Sequence, residues 1–175
     1  MSLVPHLTSE RLSYGGITWP HQEAFAAFCL SERSRFLGGP TDDPRDAWDS
    51  SMIHSGQWAL RGYGTFWLTE TATGRTAGRV GLWHPVNLDE PELSWIIFDG
   101  FEGKGYAEEA ARRVRRWAWE ERGIGPLHSD ISPDNARSIA LAKRLGCTFE
   151  GMTRYHSGKP AEVWRHPHPA AEGTA

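Results

Sequence analysis

Residues 102–110 read EGKGYAEEA: two glycines flank a lysine, and alanines and carboxylates follow at once. Glycine lets a backbone approach a ligand closely, and the first N–H groups of a helix have no partners of their own. A strand that ends in such a turn and runs directly into a helix is a place for an anion, phosphate above all. It is equally a plain strand-to-helix turn in which glycine supplies a positive φ. Two common phosphate loops are excluded by spacing. The pattern G-x-x-x-x-G-K-[ST] needs a hydroxyl after its lysine, and Gly105 follows Lys104. The dinucleotide pattern G-x-G-x-x-G needs glycine where Glu108 stands.

Two further groups carry chemistry. In NARSIALAKRLG, Asn135 and Ser138 are three apart and project together from the start of a helix. The plainer reading makes Asn135 a cap and Ser138 a surface hydroxyl. In PELSWIIFD (91–99), alternation places Glu92, Ser94, Ile96 and Phe98 on one face of a strand. A carboxylate at Glu92 takes a proton from an amine through water, or merely caps the strand. Trp58, Tyr63, Trp67, Trp83 and His84 offer walls for an amine or its carbon frame, unless they are core. Eight histidines include no H-x-x-x-H pair, so no metal site is read.

The elements that must hold these groups follow from periodicity. RLSYGGI (11–17) reads as a first strand. WPHQEAFAAFCLSE reads as a helix with Pro20 in its first turn, and a second helix, capped by Thr41, Asp42 or Asp43, runs through Trp48 and Met52. Two apolar stretches around TATGR form a hairpin, and 91–99 is the next strand. Ala107, Ala110, Ala111, Val114, Trp117 and Ala118 make a helical stripe ended by Gly123, with the arginines of RRVRR on its solvent side. LHSDIS is a short strand, PDNARSIALAKRLG a helix, and CTFEGMTRYH with PAEVWRH a final hairpin. The order is β-α-α-β-β-β-α-β-α-β-β, one domain over 1–165. Residues 166–175, with His166 and His168 among prolines, read as a disordered tail. The opening MSL reads as a tag remnant.

With its motifs in this order, the chain resembles the GNAT acyltransferases, in their RimJ/RimL-like branch. EGKGYAEEA resembles the pyrophosphate loop Q/R-x-x-G-x-G/A, with Gly105 and Ala107 at its small positions and Glu102 where Gln or Arg is usual. NARSIALAKRLGCTFEG resembles N-x-x-S-x-x-L-x-x-x-L-G-F: Asn135, Ser138, Leu141, Leu145 and Gly146 match, and Cys147 replaces the phenylalanine. The likeness runs from about residue 8 to 155. It implies an α/β (α+β) fold, a mixed and mostly antiparallel sheet with splayed central strands and flanking helices.

It also implies acetyl-CoA as co-substrate, no metal, and transfer of an acetyl group to an amine by direct attack. The backbone of Glu102, Gly103, Lys104, Gly105, Tyr106 and Ala107 would hold the pyrophosphate. Ile96, Ile97 and Phe98 would hold the pantetheine arm, with an N–H near Ile97 serving the carbonyl. Asn135 and Ser138 would border the cofactor. Many members carry a tyrosine seven residues after the asparagine; Ala142 stands there, so Ser138 is taken as partner of the leaving sulfur, with Tyr155 in reserve and Glu92 as base. Trp67, Trp83, His84 and Tyr155 would meet the acceptor, a small-molecule amine or a protein N-terminus. A larger acyl donor, an aminoglycoside-like acceptor and a non-catalytic acyl-CoA sensor stand as alternatives.

Composition agrees. A net charge of -3 provides no basic footprint for nucleic acid. No run is long enough to span a membrane. Two distant cysteines read as reduced thiols in a cytoplasmic protein; the resemblance implies a monomer or homodimer.

Overall fold

The computed structural model describes residues 3–169. The rest of the expected tail, 170–175, lies outside the described residues, as do Met1 and Ser2. Strands β1 (Leu7–Thr8) and β2 (Leu12–Gly15) lead into α1 (Trp19–Cys29), a 3-10 turn (Glu32–Leu37) and α2 (Pro44–Arg61). Then come β3 (Thr65–Glu70), β4 (Thr76–Trp83), β5 (Glu92–Ile97), α3 (Tyr106–Arg116) with a π-helical end (Trp117–Glu121), β6 (His128–Ile131), α4 (Ala136–Arg144), β7 (Thr148–Arg154) and β8 (Pro160–Arg165). They form one eight-stranded sheet in the order β1-β2-β3-β4-β5-β6-β8-β7. Every pairing is antiparallel except β5 with β6. The mixed sheet with a divergent central pair is the expected architecture; β1 is an added edge strand. Among the described residues no helix is long and apolar enough to cross a membrane.

The helix starts follow local chemistry. Asp43 caps α2 by accepting the Arg45 N–H at 2.9 Å. Asn135 caps α4 by accepting the Ser138 N–H at 3.2 Å, so the plainer reading of that residue holds. Helices α1 and α2 cover one face of the sheet, α1 through Phe25 and Phe28; α3 covers the other through Ala110, Ala111, Val114 and Trp117, where Trp58 from the C-terminal end of α2 joins it. Phe66 links Trp58 and Trp117, with ring centroids 4.9 and 5.0 Å away in edge-on contact. Edge-on pairs of this kind add to what area burial alone contributes.

Two expectations fail for tertiary reasons. Arg115, expected on the solvent side, is fully buried and donates to the Leu145 carbonyl at 2.8 Å, satisfying the end of α4. His166, expected in a disordered tail, is 3% exposed. Its Nε2 lies 2.9 Å from Ser129 Oγ, and its Nδ1 lies 3.3 Å from both Arg115 Nη1 and Cys147 Sγ. Ser129 gives its proton to the Leu93 carbonyl, so the His166 Nε2–H donates to Ser129.

Burial, reinforced by Arg115, pushes the His166 imidazole down to about 3. The unfolded chain takes up this proton near pH 6.5 and the folded chain does not. The unfolded state therefore binds more protons between those values, and stability falls as pH drops below about 6.5. The effect expected from His166 alone is on the order of 1–2 kcal/mol between pH 7 and 5. Urea unfolding of the wild type and His166→Gln should show it as a shallower pH dependence in the variant.

Candidate active site

The sheet opens between β5 and β6. Their one register point is Glu92 opposite His128. Just past it the Ser129 hydroxyl donates to the Leu93 carbonyl at 2.5 Å, and beyond that the two strands part. On the other side of β5, the Phe98 N–H donates to Ala77 of β4 at 2.9 Å. Backbone groups alternate along a strand, so the N–H groups of Trp95 and Ile97 face the gap. This corrects the expected cofactor strand. Ile96 and Phe98 turn their backbone groups to β4 and bury their side chains, at 5% and 3% exposure. Ile97 alone of the three presents its N–H, and Trp95 joins it. The Ile97 carbonyl is occupied by Arg33 Nη2 at 2.7 Å.

At the far end of β5 the chain enters the glycine turn. Gly103 and Gly105 have φ of 72° and 81°, a left-handed backbone that favours glycine. Among the described residues nothing lies within 4 Å of the place a Cβ on Gly103 would take, and no side chain caps α3. The turn is an open cradle with free N–H groups and the positive end of a helix behind it, which fits a pyrophosphate. Its carboxylates are neutralised by neighbours. Glu109 pairs with Arg11 at 2.7 Å, Glu108 with Arg112 at 3.0 Å, and Glu102 with Arg33 at 2.7 Å. Arg11 Nη1 also donates to the Lys104 carbonyl at 2.7 Å, turning that oxygen out of the cradle. Arg11 and Arg33 were not legible as site residues, because each lies more than 60 residues from the loop or strand it holds. Tyr106 keeps only its backbone for a ligand: its hydroxyl donates to Glu70 at 2.5 Å. Lys104 Nζ lies 5.1 Å from the centre of the Phe101 ring, and Ala107 is half-buried at the start of α3.

Across the gap, the Trp95 indole donates to Ser138 Oγ at 3.3 Å. Accepting this bond leaves the Ser138 O–H free to donate. Trp95 and Ser138 lie on the α3–α4 face, whereas Glu92 lies on the opposite, α1–α2 face. Glu92 shares its neighbourhood with His128, Asp130 and Tyr155. The Tyr155 hydroxyl donates to the Asp130 carbonyl at 2.9 Å, which brings Tyr155 to the gap. Burial, then the Asp130 carboxylate, pushes the Glu92 carboxyl up to about 8. Burial also raises Asp130 and lowers His128, whose Nε2 lies 3.7 Å from Asp130 Oδ1. Among the described residues Asp130 Oδ1 and His128 Nδ1 have no hydrogen-bond partner. Neither residue was singled out in the sequence, where HSDI gives only a strand.

The aromatic residues divide. Trp67 is core, 2% exposed and edge-on to Phe25. His84 is committed on both ring nitrogens: Nε2 donates to the Leu88 carbonyl at 3.0 Å, and Nδ1 accepts from the Tyr63 hydroxyl at 2.5 Å. Neither is free for a substrate. Trp83 stands beside Glu92 in the sheet and packs on His54 at 4.5 Å. With Asp46, Asp49, Ser50 and Ile53 these two line a cavity of about 330 Å3. Among the described residues no cluster of metal-binding side chains occurs.

A family profile described as the Acetyltransferase (GNAT) domain matches residues 11–148. An acetyltransferase of Agrobacterium tumefaciens str. C58, known by crystal structure, is 33% identical, with a TM-score of 0.84 over 93% of this chain and 94% of its own. The structure of RimL, a ribosomal L7/L12 alpha-N-protein acetyltransferase in complex with coenzyme A, is 18% identical, with a TM-score of 0.72 over 95% of this chain and 99% of its own. That second likeness speaks to the fold alone. The Bacillus subtilis protein named as uncharacterized N-acetyltransferase YnaD is 27% identical over 73 residues, 42% of this chain and 43% of its own length. The chain spans less than two thirds of the length of the curated relatives it matches.

Proposed function

The chain belongs to the GNAT acetyltransferase family, and from that premise we propose that it transfers an acetyl group from acetyl-CoA to a primary amine by direct attack in a ternary complex. The observation that carries this reading is the gap between β5 and β6. Its edge offers the N–H groups of Trp95 and Ile97, and the strand leads to the uncapped start of α3. Bound acetyl-CoA supplies the acetyl group as an activated thioester.

This chain's residues do the rest. The turn Gly103–Lys104–Gly105 and the first turn of α3 hold the pyrophosphate through backbone N–H groups. The Ile97 N–H stabilises charge that develops on the carbonyl oxygen. Glu92, ionised, takes the amine proton, directly or through one water. Ser138 Oγ–H, aligned by Trp95, donates to the departing sulfur on the opposite face. Base and donor thus flank the gap from its two sides, which suits attack from one side and departure on the other.

The acceptor is a small-molecule amine or a protein N-terminus. Two neighbours of like fold are named as acetyltransferases of ribosomal proteins, and they keep the second class in view. Free thiols at Cys29 and Cys147 suit a cytoplasmic setting, and the active unit is a monomer or homodimer. The direct test is release of free coenzyme A thiol from acetyl-CoA across a panel of amines. Amine-dependent release is expected, and Ser138→Ala should lower kcat with little change in acetyl-CoA binding. Tight acetyl-CoA binding with no release for any amine would favour an acyl-CoA sensor instead.

A further inference from the structure

The acetyl transfer leaves unused the cavity of about 330 Å3 between α2 and β4. Asp46, Asp49, Ser50, Ile53 and His54 line it from α2, and Trp83 lines it from β4. The α2 residues recur every three or four positions, so they form one stripe of the helix. A space of this order holds a small organic molecule.

Its polar groups are largely uncommitted. Among the described residues, the Asp49 carboxylate and the Ser50 hydroxyl have no hydrogen-bond partner. His54 bonds through Nδ1 to the Thr65 hydroxyl at 3.0 Å, and its Nε2 has no partner among the described residues. Asp46 accepts from the Thr41 hydroxyl on Oδ2 alone. The nearby Arg45 guanidinium is turned to Asp43, at 2.7 Å. Burial, then the Arg79 charge, holds His54 well below its ordinary proton affinity, so the ring is neutral. Its centroid lies 4.5 Å from that of the half-buried Trp83. Two carboxylates, a neutral imidazole and an indole face make a lining that attracts positive charge. Arg79 is a cation behind this wall, 6% exposed, and the two carboxylates outnumber it.

Trp83 ties the cavity to the reacting groups. It stands directly opposite Glu92 in the β4–β5 register. Side chains so paired share a face of the sheet, with Cβ atoms about 4.5–5.5 Å apart. Glu92 is not fully enclosed. A guest resting on Trp83 is therefore one strand spacing from Glu92, on the same side of the sheet.

We propose that this cavity anchors the acceptor by an ammonium group, and that the acceptor is a small aliphatic diamine or polyamine. The inference rests on the acetyl-transfer reading above. One ammonium is held by Asp46, Asp49 and the Trp83 ring and keeps its proton. The other nitrogen, as the free amine, is presented beside Glu92. Its lone pair forms the N–C bond and the C–S bond breaks. The amine proton passes to Glu92, and coenzyme A leaves as its thiol, the sulfur receiving a proton by way of Ser138. The separation of the two nitrogens thereby selects the substrate.

The experiment compares pentylamine, 1,5-diaminopentane and 5-aminopentanoate, which carry one amine on the same chain with a neutral, cationic or anionic end. Shorter and longer diamines locate the best length. Wild-type kcat/KM should favour the diamine over the monoamine roughly 10–100-fold at that length. The acid should fall below the monoamine. In the double variant Asp46→Asn/Asp49→Asn the diamine preference should shrink to within about threefold, what a ring face alone supplies. The penalty on the acid should vanish with it, a change that general damage to the fold does not produce. Both aspartates are exposed, so the variant is expected to fold. Should it not, Asp49→Asn alone enters the same measurements. Calorimetric titration of 1,5-diaminopentane into the coenzyme A-saturated protein reads the site without turnover. A wild type without diamine preference, or a preference or binding that survives in the variant, would overturn the proposal. So would a preference for the acid. A lysine-initiated peptide favoured over every diamine would overturn the choice of a small molecule. Absence of thiol release with every amine would count against acetyl transfer, whereas diamine binding lost in the variant would still support the cation site.

Discussion

Glu92→Gln is expected to lower kcat about 10²–10⁴-fold, the usual contribution of a positioned general base. Acetyl-CoA affinity should be unchanged, because Glu92 lies at the opposite end of β5 from the glycine turn. The pH profile makes the test sharper. Burial and Asp130 hold the carboxyl up near 8, so at pH 7 only about a tenth of it is ionised. A base must be ionised to accept a proton. The rate should therefore climb about tenfold per unit from pH 6 to near 8 and then level off. An acceptor amine losing its own proton produces a similar limb, and Asp130→Asn separates the two. Removing the repelling carboxylate lowers the Glu92 pKa and moves the limb to lower pH, while the amine's own titration stays where it is. Steady-state rates from pH 5.5 to 9.5 for the wild type, Glu92→Gln and Asp130→Asn decide the matter. A Glu92→Gln enzyme with undiminished turnover on its best amine removes Glu92 from the mechanism.

Gly105→Val is expected to weaken acetyl-CoA binding about 10²–10³-fold. At φ 81° a side chain is forced into the left-handed region, which costs about 1–2 kcal/mol. A Cβ there also comes within 3.4 Å of Nη2 on the Arg11 guanidinium, whose Nη1 orients the Lys104 peptide. If the loop relaxes by turning that peptide, at least one N–H bond to a charged phosphate is lost, about 1.5–3 kcal/mol more. The sum corresponds to the stated loss at about 1.4 kcal/mol per decade. Lys104→Ala should change binding by less than about threefold, since the cradle acts through backbone donors. Calorimetric titration with coenzyme A reads both. Equal affinity for the two variants and the wild type would mean that this turn does not bind the pyrophosphate.

Some of the site was legible because its signal is local. The glycine turn needs a strand, two small residues and a helix in immediate succession, and all are adjacent in the chain. Asn135 announces a helix start by its own side chain. Glu92 could be placed on a face because alternation along a strand is a backbone property. Errors arose where a residue's role depends on a distant partner. Ile96 and Phe98 looked like the cofactor edge, but which backbone groups of β5 are free is set by β4. His84 looked available until Tyr63 and Leu88 claimed its ring nitrogens. Nothing in the sequence set Trp95 apart, and only the packing of α4 joins it to Ser138.

The sequence by itself determined the order of elements apart from the edge strand β1, the anion turn and the family likeness, since each is written in neighbouring residues or in a fixed period. Tertiary structure alone decided which charges are paired. It gave Glu102 to Arg33 and Glu109 to Arg11, pressed Asp130 against Glu92 so that a carboxyl titrates near 8, and left Arg79 Nη1 enclosed with no hydrogen-bond partner among the described residues. The reason is physical. A charge's environment is set by what lies within a few ångströms in space, and in a folded sheet those neighbours come from strands and helices far apart in the chain.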